Sequence, residues 1–567
     1  MNIAFIPIDN RPVCYTLPQQ TCAIDSEIDL FMPERKFLGS LTKYADVEAI
    51  FEWLEHLPKI DAIVMCLDTV AYGGLISSRR CPDTFDEIKT RVEKLKAILE
   101  KKNAKIYAFS SIMRISNNNV NEEEKEYWNK WGKKIFEYSF NSCKNGKIVQ
   151  TDVPQEILDD YLATRKRNFE INKLFLEYQK QGLFETLVFS KDDCAEFGFN
   201  VKEAQELESL GGFVKTGADE IPLTLLARAV SKAAKQLGSE AAKRDLDAKM
   251  HRGKEAAYQH CNLPKLHSIK IAPIFLAPEY KDLISNYEDV SIEKSVKGQI
   301  ELAGCEVCEP DEADILLYVN NFEEHQGEIV MKVPTKSFSG TWQKPEKPYI
   351  VADVRYANGA DNAFVEQFFE TGLGENFLGY SAWNTSANSL GSLICGAVVT
   401  AKAAKQLRSE AARCGLDAKR QRGEDAKSVT NAVEGENQVV YPSKSSLIRE
   451  DLCYNKIAND NNLNSSDTDQ ASMPLGLLAS NTMPSSDWQT NLYKNFSLLQ
   501  LTRFLDDWAY QANVRQQLAS PDEKQVKELM KLFEQRIFEV LKIKPDEYNI
   551  TYKFPWNRLF EVEVCIS

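Results

Sequence analysis

The chain has 567 residues with 69 Lys and Arg against 83 Asp and Glu, a net charge of −14. That balance argues against nucleic acid or an anionic membrane as partner, since both select basic surfaces. The length predicts several domains, and 43% hydrophobic content is enough for a large core.

The N-terminal "MNIAFIPIDNRP" reads as a strand from residue 2, with no basic leader or cleavage site. No apolar run approaches the ~20 residues of a membrane span. Thirteen cysteines, an odd number scattered singly, suit reduced thiols and a cytoplasmic location. The five histidines form no metal-binding or triad-like cluster, so any chemistry falls to carboxylates, amides, tyrosines and arginines.

In chain order, strand-length apolar runs are "IAFIPI", "AIVMCL", "KIYAFSS", "TLVFS", "FVKT", "IAPIFLA", "ILLYVN", "YIVAD" and "FLGYSAW". Helical patterns fall between them, at 83–101, 122–138, 159–181 and around "AVSKAAKQL". Alternation of this kind predicts an α/β protein of parallel (β/α) units in two stacked domains, with one interrupted β/α barrel as the alternative. On this pattern the chain divides into an N-terminal α/β domain (1–231) and a second α/β domain (265–400). A C-terminal helical segment with a closing strand covers 487–567.

A repeat interrupts this plan. "KAAKQLGSEAAKRDLDAKMHRGKEA" returns as "KAAKQLRSEAARCGLDAKRQRGEDA", with about two thirds of positions identical. Nothing around the copies matches, so they read as an exposed helical element inserted twice, at 232–260 and 402–426. Residues 427–486, rich in Asn, Ser and Asp, read as a flexible linker.

The unusual polar residues gather where the strands end. "IAFIPI" runs into Asp9 and Arg11, "AIVMCL" into Asp68, Tyr72, Gly73 and Gly74, and "KIYAFSS" into Arg114. "TLVFS" leads to Asp192 and Asp193, and "FVKT" to Asp219 and Glu220. "YIVAD" leads to Asn358 and Asp361, and "FLGYSAW" to Trp383 and Asn384. The carboxyl ends of parallel strands share one rim, where ligands bind. Adjacent glycines would let backbone N–H groups approach a ligand.

Acids, amides, arginine and aromatic rings without histidine suit a polyhydroxylated ligand. The expectation is a small-molecule, sugar-like substrate and a glycosidase-like hydrolysis, with Asp193 and Glu220 as the leading carboxylate pair and Asp192 and Asp219 beside them. Asp9, Arg11, Asp68, Tyr72, Gly73, Gly74, Arg114, Asn358, Asp361, Trp383 and Asn384 would bind the substrate. No cofactor is expected. Two alternatives stay open: Mg²⁺ or Mn²⁺ held by Asp9, Asp68, Asp192 and Asp219, and a non-catalytic sugar-binding protein. Helix capping is the plain role for each acid ahead of a helix. The acidic "EEEKEYWNKWG" reads as a helix start with Trp128 packed inward.

Taken together, "PIDNRPVCYTLP", "LDTVAYGGLISSR", "EEEKEYW", "RKRNFEIN", "SKDDCAEFG", "TGADE", "NGADN", "YSAWNTSANSLG" and "PWNRLFEV" resemble the bacterial family DUF4127. The likeness runs in order along nearly the whole chain, except the two repeat elements and the linker. It implies no established activity, cofactor or site residue.

Overall fold

A computed structural model describes residues 1–192, 194–233, 268–406 and 487–567, with side chains omitted at 487–490. Both inserted elements, apart from their first residues, and the linker fall outside the described residues, as does Asp193.

Fifteen strands are described. The first six are β1 (Asn2–Ile6), β2 (Asp29–Phe31), β3 (Ala62–Cys66), β4 (Lys105–Ile112), β5 (Thr186–Lys191) and β6 (Val214–Thr216). They form one parallel sheet in the order β2-β1-β3-β4-β5-β6. Then follow β7 (Lys270–Phe275), β8 (Glu306–Val307), β9 (Ile315–Asn320), β10 (Gly327–Glu328), β11 (Tyr349–Asp353), β12 (Tyr356–Ala357) and β13 (Phe377–Ser381). Of these, β13-β11-β9-β7-β8 make a second parallel sheet, while β10 and β12 pair separately. The antiparallel pair β14 (Ile550–Lys553) and β15 (Glu563–Ile566) ends the chain.

The architecture is α/β, with parallel sheets of six and five strands and a C-terminal helical segment. Both sheets are open, which removes the barrel alternative. Numbered within itself, the second sheet reads 2-1-3-4-5, the same order as the first five strands of the first sheet. Each is thus doubly wound, with the connections changing side between its first and third strands. All nine strand-like apolar runs are strands. Their central members are buried on both faces, as β3 and β11 are along their whole lengths. Covering helices on both sides require such unbroken apolar runs.

The helix expected at 122–138 begins six residues later, at Trp128. Arg80 takes the backbone carbonyls of Asn121, Glu122 and Glu124, so these residues are drawn into a loop rather than a first turn. Trp128 itself is buried, as expected.

The C-terminal segment starts with the helix Asp487–Arg503 and widens into a π-helical stretch, Phe504–Val514. Phe504 packs on Tyr380 and Phe369, with ring centroids 4.8 and 5.0 Å apart. These contacts fasten the segment to the second sheet. On the other side, Gln20 and Ala23 hydrogen-bond to Thr502 and Asn495. The segment therefore grips both sheets.

Gly73 shows what the paired glycines do. Its φ is +88°, and a Cβ there would lie 2.9 Å from the Tyr44 Cβ and 3.0 Å from the Ala45 nitrogen. Gly146 has φ +65° but open space around it. Replacing either by Ala incurs the left-handed cost of about 1–2 kcal/mol. Gly73→Ala should lose at least about 1 kcal/mol more than Gly146→Ala, because the 39–45 loop must also move. Urea unfolding of the two variants measures the difference.

Candidate functional site

Arg11 is the centre of the first rim. Its backbone N–H and its Nε both donate to Asp9, the Nε at 3.0 and 2.9 Å to the two carboxylate oxygens. Nη1 and Nη2 donate to Asp219 at 3.1 and 2.5 Å. One buried guanidinium thus serves two buried carboxylates. Burial, with Asp9 and Asp192 nearby, outweighs the pull of Arg11 and holds Asp219 above the ordinary carboxylate range.

β6 stands four strands from β1 in the sheet, about 19 Å at the usual spacing. The ion pair forms because the connections after β1 and β6 turn toward one another across the rim. Gly217, at φ +116°, allows the turn after β6.

Next to this pair, Arg114 from the end of β4 reaches Asp192 at 3.4 Å, Glu123 at 2.8 Å and Glu124 at 3.2 Å. Arg79 lies 3.6 Å from Glu123 and 3.4 Å from Glu124. The C-terminal loop closes the group. Arg558 pairs with Glu123 at 2.7 Å, and Glu561 accepts the Val13 N–H. The Trp556 indole donates to Asn10, while Arg11 and Arg558 both lie over its ring at 5.2 and 4.7 Å. Trp556 and Asn557 have φ of +56° and +53°, a conformation that bulky residues hold only under constraint. Glu561 is pushed up to about 8 by burial, against the pull of Arg11.

Of the sequence-selected residues, the structure therefore gathers Asp9, Arg11, Asp219, Asp192 and Arg114. Asp192 is the most open of these acids, with a fifth of its side chain exposed. Glu220 faces elsewhere: it accepts from Gln299 Nε2 at 3.0 Å and from the Ala218 N–H, buried and with its proton affinity raised by that burial.

Asp68 is fully buried, accepting from Ser110 Oγ and the Ser111 N–H. The N–H groups of Gly73 and Gly74 are donated to the carbonyls of Thr69 and Asp68, so they are spent inside their own turn. Tyr72 lies under Arg167 and, with Gly73 and Tyr44, lines a cleft of about 360 Å³ that shares no residue with the arginine group.

The other four line the second rim. Asp361 caps the helix Asn362–Thr371 and accepts the Phe338 N–H. Asn358 and Asn384 both have positive φ and are joined by a backbone hydrogen bond, with the Asn358 amide on Glu328. Trp383 is buried against Phe560. Among the described residues, no three His, Cys, Asp or Glu side chains are grouped to hold a metal ion.

Sequence reading missed Arg79, Glu123, Glu124, Arg558 and Glu561 as members of the group. The signals were present in "LISSR", "EEEKEYW" and "PWNRLFEV", but nothing in their spacing brings three remote segments together.

Fold and site define a doubly wound α/β protein with a charged, arginine-braced cluster on the carboxyl rim of its first sheet. The family model described as "Protein of unknown function (DUF4127)" matches residues 3–428 and 471–565, and the chain belongs to that family. No curated protein and no solved structure matches it. No described helix is long and apolar enough to cross a membrane.

Burial pushes Asp68 up from 3.8 to about 6, against hydrogen bonds from Ser111 and Ser110. Between these values the folded state binds the extra proton, so this group's stabilisation is full below pH 4 and fades as pH rises to 6. Asp68→Asn should flatten that dependence, by up to about 3 kcal/mol over the interval. Urea unfolding of wild type and variant at pH 4, 5 and 6.5 tests it; parallel curves would show that Asp68 does not carry the linkage.

Proposed function

We propose that this protein is an enzyme acting on a carbohydrate or sugar derivative at the first rim, with glycoside hydrolysis as the reaction class. The observation that supports it most is a pair of carboxylates in unequal surroundings, on the connections after adjacent strands β5 and β6. Asp219 is buried beside Arg11 with its proton affinity raised. Asp192 is a fifth exposed beside Arg114. Two carboxyl groups whose environments separate them are the arrangement that acid and base or nucleophile roles require.

In this reading Asp219 supplies the proton to the leaving oxygen, while Asp192 acts as the nucleophile or activates water. Arg11 and Arg114 position them, and Asp9 orients Arg11. The substrate is a small molecule, and the location is cytoplasmic, as the scattered single cysteines suggest.

A thermal-shift screen against mono- and disaccharides, amino sugars and divalent ions identifies the sugar class, and matched aryl glycosides then report turnover. Asp192→Asn and Asp219→Asn should each lower kcat by about 10²–10⁴-fold while binding persists. Binding without turnover in the wild type would leave a sugar-binding protein. Full activity in both variants would sink the two-carboxylate mechanism, and stabilisation by Mg²⁺ or Mn²⁺ alone would transfer the acids to a metal.

A further inference from the structure

Glu123 holds more cationic charge than any other carboxylate of the rim. Arg114 donates to its Oε2 at 2.8 Å, Arg558 to its Oε1 at 2.7 Å, and Arg79 stands 3.6 Å from Oε2. Burial opposes ionisation there, yet Arg114, Arg79 and Arg558 together hold the carboxyl well below its usual range. The three arginines come from the short helix Leu75–Arg80, the end of β4 and the C-terminal loop. Three segments remote in sequence thus converge on one oxyanion.

That carboxylate does not satisfy the arginines. The Arg79 side chain is 1% exposed, and its Nε, Nη1 and Nη2 all lack a hydrogen-bond partner. Arg558 Nε is buried and equally unpartnered. Leaving a buried charged donor unsatisfied costs free energy, and such groups in native proteins call for an explanation. Buried arginine donors converging on one point are the set that binds a carboxylate or phosphate, because the planar fork matches two oxygens at once.

Glu123 belongs to a loop whose backbone is pinned by Arg80 through the carbonyls of Asn121, Glu122 and Glu124. Its side chain, a quarter exposed, can leave by rotation alone while the loop stays in place.

We propose that Arg79, Arg114 and Arg558 form an oxyanion subsite for a carboxylate or phosphate carried by the substrate, and that Glu123 occupies it in the ligand-free protein. The inference rests on the carbohydrate reading above and narrows it to acidic sugars, such as uronates or sugar phosphates. Arg114 also pairs with Asp192, so the ligand's anionic group would be anchored beside the reacting carboxylate. An arriving oxyanion displaces Glu123 and takes the idle donors of Arg79 and Arg558.

Calorimetric titration of the full chain at fixed ionic strength with glucose, glucuronate, glucose 6-phosphate and inorganic phosphate tests this. One of the acidic sugars should bind about ten- to hundred-fold tighter than glucose, the worth of one or two charge-assisted hydrogen bonds. Which one wins separates carboxylate from phosphate. Glu123→Gln removes the competing charge and should tighten that ligand several-fold, whereas Arg558→Met should weaken it by a larger factor than it weakens glucose. A role of Glu123 in folding alone would lower thermal stability without tightening the anion.

Equal affinity for acidic and neutral sugars in wild type and Glu123→Gln overturns the subsite while the carbohydrate reading stands. Phosphate binding as tightly as glucose 6-phosphate, with no neutral sugar bound, keeps the subsite and removes the sugar. No anion binding in either protein overturns the proposal outright.

Discussion

The rim depends on one buried cation shared by two carboxyl groups. Arg11 is tied to Asp9 two residues away and to Asp219 more than two hundred residues on, with Trp556 stacked over it from the far end of the chain. Taking Arg11 and its two carboxyl partners out of water is expensive, and their mutual attraction offsets it only with good geometry. Removing Arg11 would strand two buried carboxylates, a far worse state than exchanging all three groups for apolar ones. The connection after β6, the turn after β1 and the C-terminal loop are therefore committed to one arrangement. Arg114, Arg79 and Arg558 extend the same logic outward, each linked to the next through Glu123.

Two sheets of the same strand order bear rims of similar composition, yet the rims differ in state. On the second, most polar groups are paired with one another, although Asp507 Oδ1 and Arg503 Nε keep no hydrogen bond. Asp353 takes Tyr380, Asn320 and the Asp361 N–H, and Asp507 takes the Ala382 N–H and Arg503. Burial raises Asp353 to about 7, but its bonds are internal. On the first rim, the whole Arg79 guanidinium is buried without a hydrogen bond. Residue types at a strand end show that a rim is polar; only the hydrogen-bond balance shows where a whole guanidinium is left with capacity for a ligand.

The strands were legible because burial on both faces leaves an unbroken apolar signature, and all nine such runs became strands. β2 and β8, short edge strands of three and two residues, carry too little apolar sequence to register. Asp9, Arg11, Arg114, Asp192 and Asp219 could be picked out because strand ends share a rim whatever the connections do. Their partners could not. Glu123 and Glu124 look like the acidic first turn of a helix, and only the competing Arg80 bonds to the backbone show otherwise. Gly73 and Gly74 look like a ligand-facing turn, but a neighbouring loop packs against them so closely that the glycine at 73 is explained without a ligand. Pairings across hundreds of residues leave no periodicity to read.

The position of the last residues has a consequence for how the site forms. Trp556, Arg558, Phe560 and Glu561 lie between β14 and β15, a two-stranded pair that would be marginal in isolation. What holds the loop is its contacts: Asn10 and Val13 on one rim, Trp383 on the other, and Tyr510 and Gln511 of the π-helical stretch. The strained conformation of Trp556 is held by its hydrogen bond to Asn10 and by Arg11 and Arg558 against its ring. The first rim thus gains its third arginine and its aromatic brace only when the C-terminal loop has docked, and docking needs the second sheet as a support. The second sheet contributes to the site as the scaffold that presents this loop to the first.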